Sequence, residues 1–125
     1  MGEYHKALEY YKMALERYTL VGDNLRIAYC HSGLGLTSES LGEHQRALDH
    51  YYQALEKRKN MEDMVGIARE YYNISFIFSN TDKNKEALKS LLNAKSILDE
   101  FEGYKGYSHP ILKQVKERIS DLENL

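Results

Sequence analysis

At 125 residues, with 17 Lys and Arg against 19 Asp and Glu, the chain has room for one small domain and carries a formal charge of −2 with both signs interspersed. That balance excludes the basic footprint of a general nucleic-acid binder, and no apolar run approaches the roughly 20 residues needed to span a bilayer. The single cysteine, Cys30, excludes an intrachain disulfide and a cysteine-rich zinc site, which suits a soluble protein of the reducing cytosol.

The polar opening Met1-Gly2-Glu3-Tyr4-His5-Lys6 has nothing of a signal peptide and leads straight into an amphipathic pattern. From Tyr4 to Tyr18 the apolar residues Tyr4, Ala7, Leu8, Tyr11, Ala14, Leu15 and Tyr18 follow steps of three and four, which predicts a first helix. Thr19 to Asn24 breaks the pattern, and Asp23 or Asn24 can cap a second helix that runs to about Ser40. Gly42 suits a tight turn before a third helix over about Glu43 to Lys59, whose closing Lys57-Arg58-Lys59 offsets the helix dipole. Asp63 caps a fourth helix, Met64 to about Asn80. Thr81-Asp82-Lys83 makes a second tight turn, and a fifth helix takes about Asn84 to Phe101. Gly103 to Pro110 reads as the one clear loop. A last helix then carries Ile111, Leu112, Val115, Ile119 and Leu122 in a single stripe.

These elements repeat. Ala7-Leu8, Ala47-Leu48 and Ala87-Leu88 stand 40 residues apart, and so do Ala14, Ala54 and Ala94, Asp23 and Asp63, and Ile27-Ala28 and Ile67-Ala68. A period of this size is the signature of a solenoid whose units bury their apolar faces on one another. Ala47 and Ala54 lie about two turns apart with Tyr51 between them, a socket in which alanine admits a close neighbour and the ring fills the margins. The facing helix carries Gly35 and, one unit on, Ser75, small residues twelve before Ala47 and Ala87. Each is the expected contact point within a helix pair.

A small residue in the first helix followed by Ala, an aromatic and Ala in the second resembles the tetratricopeptide repeat. The residues that carry it are Leu34-Gly35, Ala47, Tyr51 and Ala54, then Tyr71, Ile74-Ser75, Phe78, Ala87 and Ala94. The period resembles the long variety, 40 rather than 34. Leu91 replaces the aromatic, His31 stands where a large apolar residue is usual, and the proline that often ends a unit is missing. The resemblance implies an all-α, right-handed α-solenoid of antiparallel helix pairs: a half repeat (1–20), two repeats (23–59 and 63–102) and a capping helix (108–125) in one domain.

It further implies a concave groove, lined by the first helix of each pair, that binds a peptide or helical segment of another protein. Carried over residue by residue, the groove positions are Tyr29, Ser32, Gly33, Leu36 and Glu39, then Arg69, Tyr72, Asn73, Phe76 and Asn80. Asn73 ranks first, because its amide offers a donor and an acceptor to a peptide backbone of any sequence. Arg69, one turn earlier, can fork onto a carboxylate. Gly33 occupies the register of Asn73, so an asparagine ladder is not repeated. Tyr72 and Phe76 are aromatics at helical spacing, which suits a core as well as a groove. Alternatives to partner binding are a peptide-sensing regulatory domain of a larger signalling or transcription protein and a self-assembling scaffold.

Chemistry finds little footing. Cys30 and His31 are consecutive, and helical neighbours diverge by about 100°, so they do not form a nucleophile and base. His44 and His50 are six apart rather than the four that place two imidazoles on one metal. No phosphate-cradling glycine loop or nucleophile elbow is present, and no enzyme, cofactor or metal is expected. The chain opens on the second helix of a unit, which leaves the Ala7, Tyr11 and Ala14 face to a preceding segment of a longer protein or to a second copy. Self-association through Tyr4, Leu8, Tyr11 and Leu15 is therefore expected, and light scattering at high micromolar concentration checks it: a strictly monomeric profile counts against the pairing.

Overall fold

A computed structural model describes residues 2–125; Met1, the first residue of the expected half repeat, lies outside the described residues. Among the described residues the chain is all-helical: α1 (Gly2–Val21), α2 (Asn24–Ser40), α3 (His44–Asn60), α4 (Met64–Asn80), α5 (Asn84–Lys105) and α6 (Ile111–Glu123). The starts of α2 and α4, and of α3 and α5, each differ by the 40 residues of the sequence repeat. None of these helices is long and apolar enough to cross a membrane.

The boundaries follow from local chemistry. Asp23 accepts the Arg26 amide at 3.1 Å and Asp63 the Gly66 amide at 3.0 Å, so the two caps fall at equivalent places and start the helices that follow them. The reversals after α1 and α2 have left-handed backbone at Gly22 and Gly42, with φ of 71° and 77°. One period later Glu62 and Asp82 adopt the same conformation without being glycine. Two expected boundaries move. The first helix continues through Thr19 and Leu20 to Val21, with the Thr19 hydroxyl donating to the Leu15 carbonyl. The expected loop shrinks from its start, because Gly103, Tyr104 and Lys105 continue α5. The helix ends only where left-handed Gly106 donates its amide to the Glu102 carbonyl at 2.8 Å. Gly103 costs some helix propensity, which the long α5 absorbs.

The helices gather into two compact units, Met1–Met61 and Glu62–Leu125. In the first, α2 packs most extensively on α3 and less so on α1. Gly35 is the contact point expected from the repeat: a Cβ built there would stand 2.7 Å from Cε1 of Tyr51, a ring with no solvent exposure. The Tyr51 hydroxyl donates to Glu39 at 3.0 Å, so burial of the ring does not strand its polar end. Gly33 does the same toward the other neighbour, where a Cβ would meet the Tyr11 ring. In the second unit α5 is the centre. Leu91, Ala94 and Leu98 are fully buried against Ile111, Leu112, Val115 and Ile119 of α6 and Ala68 of α4, each buried leucine or isoleucine contributing about 1.5–3 kcal/mol. The stripe expected on the last helix is thus its buried face. The turn before it is pinned by Phe101, whose ring lies edge-on to Tyr107 and His109.

Where a large apolar residue is usual, His31 meets His50 instead, with Nδ1 atoms 3.1 Å apart and rings stacked at 5.3 Å between centroids. One Nδ1 donates its proton to the other, an arrangement that requires at least one of the two rings to be neutral. Burial, followed by the positive charges of a protonated His50 and of Lys57, pulls the His31 pKa down to about 4. Burial also lowers that of His50, against the opposing pull of Asp49 and aided by Arg46 and Lys12. The pairing joins two helices through residues that the sequence reading considered separately, His31 beside Cys30 and His50 beside His44.

Replacing Gly35 by Ala is expected to cost about 1–3 kcal/mol, because the enclosed Tyr51 ring has no room to retreat. The same change at Gly103, where a Cβ meets nothing within 4 Å, should stabilise by about 0.5–1 kcal/mol; urea unfolding of the two variants tests the opposite signs. Because the folded His31 pKa lies below its unfolded value, the unfolded chain binds more protons in between. Stability should be fully present above pH 6.5 and fall as the pH drops toward about 4, by about 1.4 kcal/mol per unit of pKa difference. Thermal melts across that range should show the slope in the natural chain and a shallower one in His31→Leu, where His50 alone still contributes.

Candidate functional site

The register of α4 places Arg69, Tyr72, Asn73, Phe76 and Asn80 on one side, at steps of three and four. Arg69 and Asn80 are exposed, while Tyr72, Asn73 and Phe76 are half-buried. The other side of the helix, with Ala68, Ile74, Ser75 and Ile77, is buried. Arg69, Asn73 and Asn80 make no side-chain hydrogen bond or ion pair among the described residues, so their donors and acceptors are open to a ligand. Between them Tyr72 and Phe76 stack on each other at 5.0 Å and 24°, and Tyr72 also leans on the core of its unit. These two rings are therefore neither pure core nor free groove: they form a fixed apolar floor beside the polar groups.

One further member of this surface lies outside the positions that the repeat register assigns to a groove. Arg118 of α6 lies with its guanidinium carbon 4.6 Å from the centroid of the Phe76 ring, and its Nε is buried with no hydrogen-bond partner. A signal was present, since residue 118 stands seven after Ile111, three after Val115 and four before Leu122, which sets an arginine in line with an apolar stripe. Such an arginine is placed by what its long stem and flat head can pack on.

On α2 the residues assigned to a groove divide. Tyr29, at 68% exposure, and Leu36, at 52%, face outward, and Ser32 is half-buried. Glu39 is occupied by the Tyr51 hydroxyl. Gly33 is a correction: it is buried beneath the Tyr11 ring and faces α1, so it offers nothing to a ligand. The difference from Asn73 is physical, since one position admits a neighbouring ring and the other carries an unpartnered amide. Tyr29 also borders a cleft of about 480 Å³ between α1 and α2, lined with Tyr10, Tyr18, Leu25 and Arg26. Arg26 there is tied to Asp23 at 2.7 Å and lies 5.8 Å from the Tyr18 ring centroid. Its hydrogen bond to Asp23 is the main reason that carboxyl titrates below its ordinary range.

Of the residues assigned to self-association, Tyr4 is exposed, Leu15 half-buried and Leu8 buried, while Tyr11 lies on Gly33. The apolar side chains that α1 leaves most open are Tyr10, Met13, Leu20 and Val21. Burial raises the Cys30 pKa, which keeps it a thiol, while His31 is engaged with His50. Among the described residues no group of three or more His, Cys, Asp or Glu is placed to hold a metal ion.

No curated protein matches the chain. The family model described as tetratricopeptide repeat matches residues 1–60, the stretch that holds the half repeat and the Gly35–Tyr51 helix pair. With helix pairs built on a small residue beneath a large side chain, and with that match, residues 1–60 belong to the tetratricopeptide repeat family, and the helix starts of α4 and α5 repeat the spacing of α2 and α3.

Proposed function

We propose that the chain is a binding module that holds a peptide or helical segment of a partner protein along α4. Tetratricopeptide repeats are in general protein–protein interaction modules, and the chain shares that role at this level. The observation that carries the finer reading is the run of unpartnered polar groups, Arg69, Asn73 and Asn80, on one side of α4 next to the Tyr72 and Phe76 stack. A solvated helix face has polar groups too, but it does not set them beside two half-buried, mutually stacked rings. The apolar floor excludes water from one flank, which strengthens each hydrogen bond made there. The Asn73 amide suits a peptide backbone and the Arg69 guanidinium a carboxylate. In the first unit Tyr29, Ser32 and Leu36 supply a more apolar face of α2, suited to burying a partner's hydrophobic side chains.

An affinity pull-down from the native cell lysate, comparing the natural chain with an Arg69→Ala, Asn73→Ala double variant, tests this reading. Both side chains are at least partly exposed, so the variant should melt within a few degrees of the natural chain. Its partner yield should fall by about tenfold or more, the consequence of losing one charged and one neutral hydrogen-bonding group. Identical partners at identical yield would remove α4 from the binding surface.

A further inference from the structure

The second unit contains a cation that the fold itself does not use. Arg118 has no carboxylate partner among the described residues, although Glu117 and Asp121 are its neighbours on α6. Its Nε is buried without a hydrogen bond, and the contact that holds it is the face of Phe76, at 4.6 Å. Phe76 is in turn stacked on Tyr72, which leans on the unit's core. An arginine needed only for solubility would extend into water and keep all its donors hydrated. This one has its guanidinium carbon over a ring that is itself stacked on Tyr72, so less side-chain freedom remains to be lost on binding.

We propose that Arg118 is a specificity residue of the α4 surface, and that the segment it selects is an acidic stretch of a partner protein whose side-chain carboxylates it receives. The inference rests on the α4 reading and adds to it a helix and a charge preference. Phe76 is seven residues from Arg69, a separation of about 10 Å along the helix axis, which equals about three residues of extended chain. Asn73 falls between them, four residues from Arg69 and three from Phe76. The order is therefore a guanidinium, an amide and a second guanidinium. It matches a ligand that presents a carboxylate, a peptide group and another carboxylate, such as two Asp or Glu residues a few positions apart in an extended segment. Single-stranded nucleic acid is the less favoured anion, because Phe76 already receives both Tyr72 and Arg118 and the chain as a whole is negative.

Fluorescence anisotropy of the full chain with labelled octaglutamate, octaglutamine and octathymidylate tests the proposal. Octaglutamate should bind tightest, and its binding should weaken as salt rises. Arg118→Gln should weaken it by about tenfold or more, and Arg118→Lys should recover only part of the loss, because an ammonium keeps the charge but not the flat stack. Circular-dichroism melts of both variants separate this from unfolding, and a lysine variant that folds but binds as weakly as glutamine would still place the effect in the guanidinium. Octaglutamate binding no tighter than octaglutamine, tightest binding of octathymidylate, or natural-strength octaglutamate binding by Arg118→Gln would overturn the proposal. If Arg118→Gln is without effect while Arg69→Ala, Asn73→Ala abolishes partner capture, this inference fails and the α4 reading stands; if neither variant changes binding, both fail.

Discussion

Close approach of helices is the constraint on which the rest of the molecule depends. Two helices come within ring distance only where one of them has almost no side chain, and the first unit shows this twice, with Gly35 under Tyr51 and Gly33 under Tyr11. The arrangement is economical: the missing Cβ creates the space, the ring fills it, and flanking alanines such as Ala47 and Ala54 let the backbones stay parallel to the contact. It also commits α2 on two sides, toward α1 and toward α3. The strip of α2 between those commitments holds Tyr29, Ser32 and Leu36.

The second unit reaches the same end with different side chains. Leu91 stands where Tyr51 does one period earlier, and Ser75 where Gly35 does, and both are fully buried: a smaller apolar group and a slightly larger small residue take the two places. At the register of Gly33, which lies beneath the Tyr11 ring, this unit carries the half-buried Asn73 instead. Arg118 extends the point to α6, where a residue in line with a packing stripe is neither core nor solvent but lies against the ring of Phe76.

Buried polar groups show a further use of the interior. The His31 and His50 rings satisfy each other's Nδ1 atoms within the contact of α2 and α3, and Tyr51 finds Glu39. Both arrangements let a helix contact contain polar atoms without leaving them unpaired, at the cost of demanding a particular protonation state. For the histidine pair the bond needs at least one neutral ring and burial favours the neutral form of both, so acid acts on the packing of the unit rather than on its surface.

The amino-acid sequence by itself determined the helices, their order and the 40-residue spacing, because amphipathic period, aspartate caps and small residues are local properties that need no partner to be read. It also located Gly35 as a contact point, since only a residue without a side chain explains the Ala, Tyr, Ala socket opposite. Tertiary structure alone decided which residues meet across helices: Gly33 with Tyr11 rather than with a ligand, His31 with His50, and Arg118 with Phe76. It also decided that Gly103 to Lys105 stay helical and that Leu8 is buried while Tyr29 and Leu36 stay open. The physical reason is the same in each case. A helix's own face is set by a period along the chain, whereas the side chain that faces it comes from a helix whose rotation and offset depend on the sum of all packing contacts, and no single stretch of sequence contains that sum.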